Sequence, residues 1–244
     1  MPTELTADTR SELAPRGRLR VALNHGNFVL VGRDAEGRAH GISVDLARNF
    51  AARHGFEIDF VEFERAGDVA GSAQDDVWDM CFLAPDPARE ATIAFTPPYI
   101  RIFGNYLAGP DCPVKGSAEL VDARLPVGSV RGSAYTLTLQ RQAVRDALVL
   151  FEDLDAAIRA LAAGEVQAVA GIREAMAQEA LSLPGARLLE PPFMEIRQAM
   201  AVPQGRPAAH AAVVAHLRDL SRADRIAEIL ERNGVDRSCA LAVD

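Results

Sequence analysis

One stretch of the sequence decides the fold: Asp79-Met80-Cys81-Phe82-Leu83-Ala84-Pro85-Asp86-Pro87-Ala88-Arg89, followed shortly by Phe95-Thr96-Pro97-Pro98-Tyr99. A short apolar run ends in a turn that contains two prolines, and an arginine follows the turn. This order predicts a buried strand with one cation on the loop at its carboxyl end. In open α/β sheets, ligands bind beyond the carboxyl ends of the strands. Arg89 is therefore the first candidate binding residue.

The composition is that of a globular protein without special staples. The chain has 244 residues, of which 49% are hydrophobic and 25% charged, so it can bury a core without disulfides or a metal. The net charge of -8 argues against nucleic-acid binding, which needs a basic face. The cysteines form no CxxC pair, and no HExxH, GxSxG or phosphate-loop motif occurs. We expect neither a metal nor a cofactor.

The N-terminal residues lack the apolar segment of a signal peptide. No window reaches the roughly 18 apolar residues of a membrane span, so the chain is not expected to be membrane-embedded. If Met1 is the natural start, a cytoplasmic location is expected. Residues 1–17 are predicted to form a loose lead-in.

Strands and helices alternate along the rest of the chain. The first half predicts strands at 19–23, 56–60 and 77–83, a helix that Ser43 caps and Gly55 ends, and a short helix within 67–76. The second half repeats this plan with strands at 125–130, 148–151 and 166–171, and helices from Asp153 to Gly164 and over 172–181. Further strands are predicted at 100–108 and 193–200, and further helices at 208–220 and 223–232.

This alternation indicates an α/β protein with mostly parallel sheets. Because the plan occurs twice, with two extended crossings between the copies, we predict two lobes joined by a two-strand hinge. Lobe one would comprise residues 18–106 and 197–244, and lobe two residues 107–196.

Several short sequence motifs occur in a characteristic order along the chain. They are Gly41-Ile42-Ser43-Val44-Asp45-Leu46-Ala47, the Asp79 strand, Arg89, Phe95-Thr96-Pro97-Pro98-Tyr99, Val127-Gly128 with Gly132-Ser133, and the strand within 164–171. Because of these motifs and their order, residues 19–234 resemble the family 3 solute-binding proteins of bacterial ABC transporters, the type that binds polar amino acids. The resemblance implies the type II periplasmic binding protein fold, with two Rossmann-like lobes. It also implies a periplasmic location, a monomer and an ABC permease as partner.

The resemblance assigns roles to individual residues. It implies that Arg89 holds the ligand's α-carboxylate and that Gly132-Ser133 offers N–H groups to an anion at a helix start. The loop before Arg89 contributes Leu83 and Ala84, where serines and threonines are usual in the family. At the family's ammonium-binding aspartate this chain has Gly171-Ile172, which carries no carboxylate.

Other candidates have two interpretations each. Phe28 either stacks on the ligand or covers the core, and Tyr135 either closes on the ligand or packs beneath its helix. Asn24 is a candidate in the loop after the first strand, and Gln198 lies on a predicted hinge strand from which it could reach the cleft. Trp78, next to Asp79 on the buried strand, is expected in the core.

Three functions remain open. The first is a non-enzymatic binding protein for a small organic anion, preferably a carboxylate that lacks the amino group. The second is a lyase similar to cyclohexadienyl dehydratases, which are enzymatic relatives of the family, with Glu174 as general acid. The third is a cytoplasmic ligand-sensing module. Fold alone does not decide among them.

Overall fold

The structure is a computed structural model and describes residues 5–244. The chain separates into two compact units. Unit 1 contains the residues up to Arg101 together with Arg197–Asp244, and unit 2 contains Ile102–Ile196.

Unit 1 begins with the first helices and strands of the chain. These are α1 (Ala7–Leu13), β1 (Leu19–Asn24), β2 (Gly32–Arg33), β3 (Ala39–His40), α2 (Ile42–His54), β4 (Ile58–Phe63), α3 (Ala66–Gly71), β5 (Met80–Leu83), α4 (Pro87–Glu90) and β6 (Ile93–Phe95). Strand β7 (Ile100–Ala108) then leads into unit 2.

Unit 2 continues with the second copy of the plan. Its elements are α5 (Ser117–Asp122), β8 (Val127–Val130), α6 (Ala134–Leu139), β9 (Leu148–Phe151), α7 (Leu154–Ala162), β10 (Ala168–Ile172), α8 (Arg173–Ser182) and the first part of β11 (Arg187–Pro203). The second part of β11 returns the chain to unit 1, where α9 (Pro207–Arg222) and α10 (Arg225–Arg232) follow.

The two units share one strand order. In unit 1, β1 lies between β4 and β5 and runs parallel to both. In unit 2, β8 lies between β9 and β10 and again runs parallel to both. Antiparallel strands complete the sheets: β11 and then β6 follow β5, and β7 pairs with β10. The predicted α/β fold class and the internal repeat are confirmed.

The core of unit 1 packs around β1 and β5. Ala22 and Cys81 from these strands are buried with Val69 of α3, Trp78 and Ile93. Apolar burial of this kind contributes about 25 cal/mol per Å² of area removed from water, which makes this cluster the main support of the strand that carries the candidate site.

The prediction of a loose lead-in is wrong for residues 5–17, and its residues 1–4 lie outside the described part of the chain. Helix α1 buries Leu13 completely, and its Arg10 donates to the carbonyl oxygen of His54 at 2.8 Å, at the end of α2. Glu12 accepts from the backbone N–H of Ala209 at 2.8 Å, in the first turn of α9. A seven-residue helix is marginal alone, so these tertiary contacts explain why it forms.

The start of α2 also differs from the prediction. The cap residue is Gly41, with φ of 116°, and Ser43 lies inside the first turn of the helix. A Cβ on residue 41 would lie 2.6 Å from the carbonyl oxygen of Leu30, so only glycine fits this approach. The predicted end is confirmed, since Gly55 closes α2 with φ of 68°.

A buried ion cluster joins β1, β5 and the start of α9. The Asp79 side chain is 0% exposed and accepts from Arg20 Nη2 at 2.8 Å and from Arg206 Nη1 at 2.7 Å. Arg20 Nη2 also pairs with the half-exposed Asp76 at 2.7 Å. The Asp79 carboxylate holds the pKa of Arg20 above its usual range, because it hydrogen-bonds to the cation. The cluster therefore fixes β5 beside β1.

Asp79→Asn should destabilise unit 1 strongly. The substitution removes the fully buried anion that two largely buried guanidinium groups share and leaves them the half-exposed Asp76. Breaking a buried ion pair costs about 3–5 kcal/mol. Urea denaturation measures the free energy of unfolding. Asp76→Asn is the matched control, because its half-exposed carboxylate is worth less in water. Equal losses for the two variants would contradict a special role for Asp79.

Candidate functional site

The predicted residues of unit 1 gather at one edge of its sheet. Asn24 ends β1 and Leu83 ends β5, and because these neighbouring strands are parallel, both ends lie at the same edge. Ala199 of β11 pairs with Leu83, which places Gln198 opposite Ala84. Crevices at such edges are where α/β sheets bind ligands.

Arg89 is held at this edge by the turn that precedes it. Asp86 caps the short helix α4 by accepting from the backbone N–H of Ala88 at 2.9 Å, and Pro87 opens the helix. The guanidinium is buried, at 3% exposure for the residue, and its Nη1 donates to the Ala84 carbonyl oxygen at 2.9 Å. The turn thus folds the Arg89 guanidinium back onto the end of β5.

The electrostatics of Arg89 favour an added anion. Burial lowers the pKa of Arg89, and the nearby Asp86 carboxylate and Cys81 only partly oppose this shift. A lowered arginine pKa means that desolvation outweighs the attraction supplied by the chain itself. A negatively charged group placed beside the guanidinium would offset that cost.

The loop after β1 presents an aromatic side chain. Asn24 Oδ1 accepts from the Gly26 N–H at 3.1 Å, and the Asn27 N–H donates to the Asn24 carbonyl oxygen at 3.2 Å. Phe28, at the end of this turn, is 51% exposed and does not belong to the core. The interpretation of Phe28 as a cover for the core is therefore wrong, and its stacking on a ligand stays a prediction.

Two features near this loop, a buried asparagine and a shared carboxylate, do not follow from the sequence pattern. Asn27 is buried, and its Oδ1 has no hydrogen-bond partner among the described residues. His25 and Arg33 both contact Glu62 Oε2, at 2.9 and 3.1 Å. Only the polar character of residues 24–27 hinted at either feature, because the partners come from a distant strand.

Two further residues of unit 1 are buried. Gln198 is 6% exposed on β11. Trp78 is 1% exposed, and its Nε1 donates to Ser72 Oγ at 3.1 Å, so the prediction of a core tryptophan is confirmed.

In unit 2, the Gly132-Ser133 turn is closed by its own hydrogen bonds. Gly132 has φ of 72°, and Ser133 Oγ caps α6 by accepting from the Thr136 N–H at 3.2 Å. The same hydroxyl lies 2.8 Å from Thr136 Oγ1, and the Ser133 N–H donates to the Val130 carbonyl oxygen at 3.2 Å. The groups of Ser133 that we expected to meet an anion therefore already have partners within the turn.

Tyr135 packs inside unit 2. The residue is 8% exposed, and burial raises the pKa of its hydroxyl to about 12, although a hydrogen bond with Ser133 opposes the shift. Of the two interpretations for Tyr135, packing against its own helix is the one that this burial fits.

The end of β10 carries no acid. Gly171 is covered by Met176, since a Cβ on residue 171 would lie 2.6 Å from Met176 Cε. Ile172 is 8% exposed and precedes the first turn of α8, which contains Glu174. Glu174 is exposed, whereas a general acid needs burial to raise its pKa, so the geometry does not supply the lyase chemistry.

Neither a metal-binding cluster nor a membrane-spanning helix occurs among the described residues. Within residues 5–244, no three histidine, cysteine, aspartate or glutamate side chains gather closely enough to hold a metal ion. No helix in the described part of the chain combines the length and hydrophobicity that crossing a membrane requires.

Substitution of Phe28 should leave the fold intact. Because half of the side chain is in water, Phe28→Ala is expected to change the free energy of unfolding by no more than about 0.5 kcal/mol. Trp78→Ala is the contrasting variant, and it should lose about 3–5 kcal/mol. Urea denaturation of both proteins tests the difference. A loss above about 2 kcal/mol for Phe28→Ala would place this ring in the core after all.

Comparisons with known proteins identify the family. The sequence profile of the bacterial extracellular solute-binding proteins, family 3, matches residues 19–235. No match was found among curated proteins.

Solved structures share the fold at low sequence identity. A mutant of the arginine-binding protein ArgBP from T. maritima has a TM-score of 0.76 at 20% identity, covering 92% of this chain and 98% of its own. A histidine kinase sensor domain with similarity to periplasmic binding proteins has a TM-score of 0.76 at 20% identity, covering 88% and 95%. The ancestral amino acid-binding protein AncCDT-1, a precursor of cyclohexadienyl dehydratase, has a TM-score of 0.74 at 19% identity, covering 92% and 98%.

The family is one of solute-binding proteins, and the three structural neighbours named above are binding proteins and a sensor domain. The word 'extracellular' in the family's description indicates that members of the family typically act outside the cytoplasm. The match covers most of the chain and agrees with the repeated α/β fold. The chain belongs to family 3 of the bacterial extracellular solute-binding proteins, and it is a ligand-binding protein.

Proposed function

We propose that this protein binds a small organic anion for an ABC-type importer and that Arg89 holds the acid group. Closure of two lobes about the strands β7 and β11 would enclose the ligand. The observation that carries the proposal is the buried Arg89 guanidinium, anchored at the carboxyl end of β5 with a lowered pKa.

A carboxylate suits this cation better than a neutral ligand does. The planar guanidinium matches the two oxygens of a carboxylate, and charge-assisted hydrogen bonds are about twice as strong as neutral ones. The Ala84 carbonyl, which accepts from Arg89, is a neutral group. Leu83 and Ala84, which are buried beside it, provide an apolar wall rather than hydroxyl groups.

The opposite charge needed by an amino group is missing at the position where the family supplies it. Gly171 and Ile172 end β10 without a carboxylate, and Glu174 is exposed in the following turn. A buried ammonium without an anion costs several kcal/mol. We infer that the preferred ligand is a keto, hydroxy or aromatic acid that lacks the amino group.

Titration calorimetry on matched pairs of acids tests this preference. Each deaminated acid should bind more tightly than the amino acid with the same side chain. Arg89→Ala should weaken binding of both by about 10–100-fold, because it removes a charge-assisted bond worth roughly 1.5–3 kcal/mol. Arg89→Lys is the matched control, which keeps the charge and loses the planar fork. A clear preference for the amino acid would refute the selectivity, whereas unchanged binding by Arg89→Ala would refute the site.

Ile172→Asp should shift the preference toward amino acids. Residue 172 precedes α8, where an aspartate is a favourable helix cap, and residue 171 has no room for a side chain because of Met176. The new carboxylate would supply the missing partner for an ammonium group. The ratio of the two dissociation constants in each matched pair is the measurement. Ile172→Asn is the uncharged control, and an equal shift for the two variants would show that charge is not the cause.

A sensing module is the second candidate function. It is favoured by the similarity to a histidine kinase sensor domain at a TM-score of 0.76. Deleting the gene separates the two functions once a ligand is known. Loss of ligand uptake supports the importer, whereas normal uptake with an altered transcriptional response to the ligand supports the sensor.

A further inference from the structure

A pair of histidines lies between α2 and α9 in unit 1. His216 of α9 is 2% exposed, and neither of its ring nitrogens has a hydrogen-bond partner among the described residues. Its ring centroid is 5.0 Å from that of Phe50 and 5.4 Å from that of His54, which ends α2. His54 Nε2 is likewise buried without a partner. Two imidazoles are thus packed as apolar groups.

The charges around this pair are mostly positive. Arg53 of α2 forms an ion pair with Asp219 of α9 at 2.6 Å, so the one carboxylate in reach is already engaged. Arg10 of α1 acts on His54 from the other side. Helix α10 also packs against α9, but the residues that it buries are apolar: Ile226, Ala227, Ile229 and Leu230.

Helix α1 is docked onto the same region by polar contacts. Arg10 donates to the His54 carbonyl oxygen at 2.8 and 2.9 Å and lies over the Phe56 ring at 4.7 Å. Arg206 donates to the Glu12 carbonyl oxygen at 3.1 Å. His54 at the end of α2 packs against His216 of α9, so the Arg10 contacts depend on the end of α2 staying against α9.

We propose that His54 and His216 form an acid-sensitive latch, which releases helix α1 from unit 1 when the imidazole rings take up protons. This function is independent of ligand binding at Arg89.

Protonation would convert a packed ring into a buried cation. An imidazolium at residue 216 would have no acceptor for its N–H groups and would face the cations of Arg53 and, beyond His54, Arg10. A buried charge without a partner is strongly unfavourable, so the ring would move toward water. Because the Arg10 contacts are built on the end of α2, movement there would undo the docking of α1.

The direction of the pH effect follows from the two pKa values. Burial lowers the pKa of both histidines, that of His216 to about 4 from an ordinary value of 6.5. Between pH 6.5 and about pH 4, the opened state therefore binds more protons than the docked state. Docking weakens as the pH falls through this range. Docking is fully retained above pH 6.5.

Hydrogen exchange followed by mass spectrometry tests the latch on the full chain. The readout is the protection of peptides from α1 relative to peptides from β1, because the ratio cancels the intrinsic dependence of exchange on pH. Between pH 7.5 and pH 5, this ratio should fall in the wild type by as much as roughly 30-fold, the linkage expected from His216 alone.

Two variants make the result decisive. His216→Leu removes the titrating ring, so its ratio should stay constant over the same pH range. His54→Gln changes only the half-buried partner and should reduce the fall. A fall in the wild type that is absent in His216→Leu supports the latch. A fall of the same size in both proteins, or a constant ratio in the wild type, overturns it. If His216→Leu does not fold, an undiminished fall in His54→Gln overturns the paired latch and a reduced one supports it.

Discussion

The fold of unit 1 depends on one buried carboxylate. Asp79 is fully buried, so its charge must meet cations, and these come from Arg20 in β1 and from Arg206, which immediately precedes α9. The desolvation cost of each ion is several kcal/mol, and only simultaneous pairing offsets it. Three distant parts of the sequence are thereby brought together. Because Asp79 immediately precedes β5, the same cluster sets the position of the strand whose far end carries Ala84 and Arg89.

Two buried arginines of unit 1 have pKa values that are shifted in opposite directions. Arg20 meets Asp79 and Asp76, and its pKa is raised by those carboxylates. Arg89 is bound to a neutral carbonyl oxygen, and its pKa is lowered by burial. A buried arginine whose desolvation is offset by carboxylates stabilises the fold. A buried arginine whose desolvation outweighs that attraction adds a free-energy cost, which an anionic ligand can offset. This contrast in pKa, rather than the presence of an arginine as such, supports the proposed binding role of Arg89.

The sequence predicts the fold well where periodicity and packing agree. The strand over residues 148–151 and the Gly55 end of α2 follow from local patterns alone. Helix α1 could not be predicted, because Arg10 and Glu12 find their partners near residues 54 and 209. In the site, the position of Arg89 follows from a strand and a turn, but the exposure of Phe28 depends on how a loop folds. The hydrogen bonds of Ser133 likewise depend on a hydroxyl that has several possible partners.

The internal repeat sharpens the argument about the ligand. In both units the strand order places the third strand of the repeat beside the first, with β5 in unit 1 and β10 in unit 2. After β5 the chain supplies a guanidinium, whereas β10 ends in Gly171 and Ile172, so one copy carries a charge near the end of this strand and the other does not. A ligand with both a carboxylate and an ammonium would require a positively charged partner after β5 and a negatively charged partner at the end of β10. The asymmetry of the two copies is therefore the property of this chain on which the proposed preference for a carboxylate alone rests.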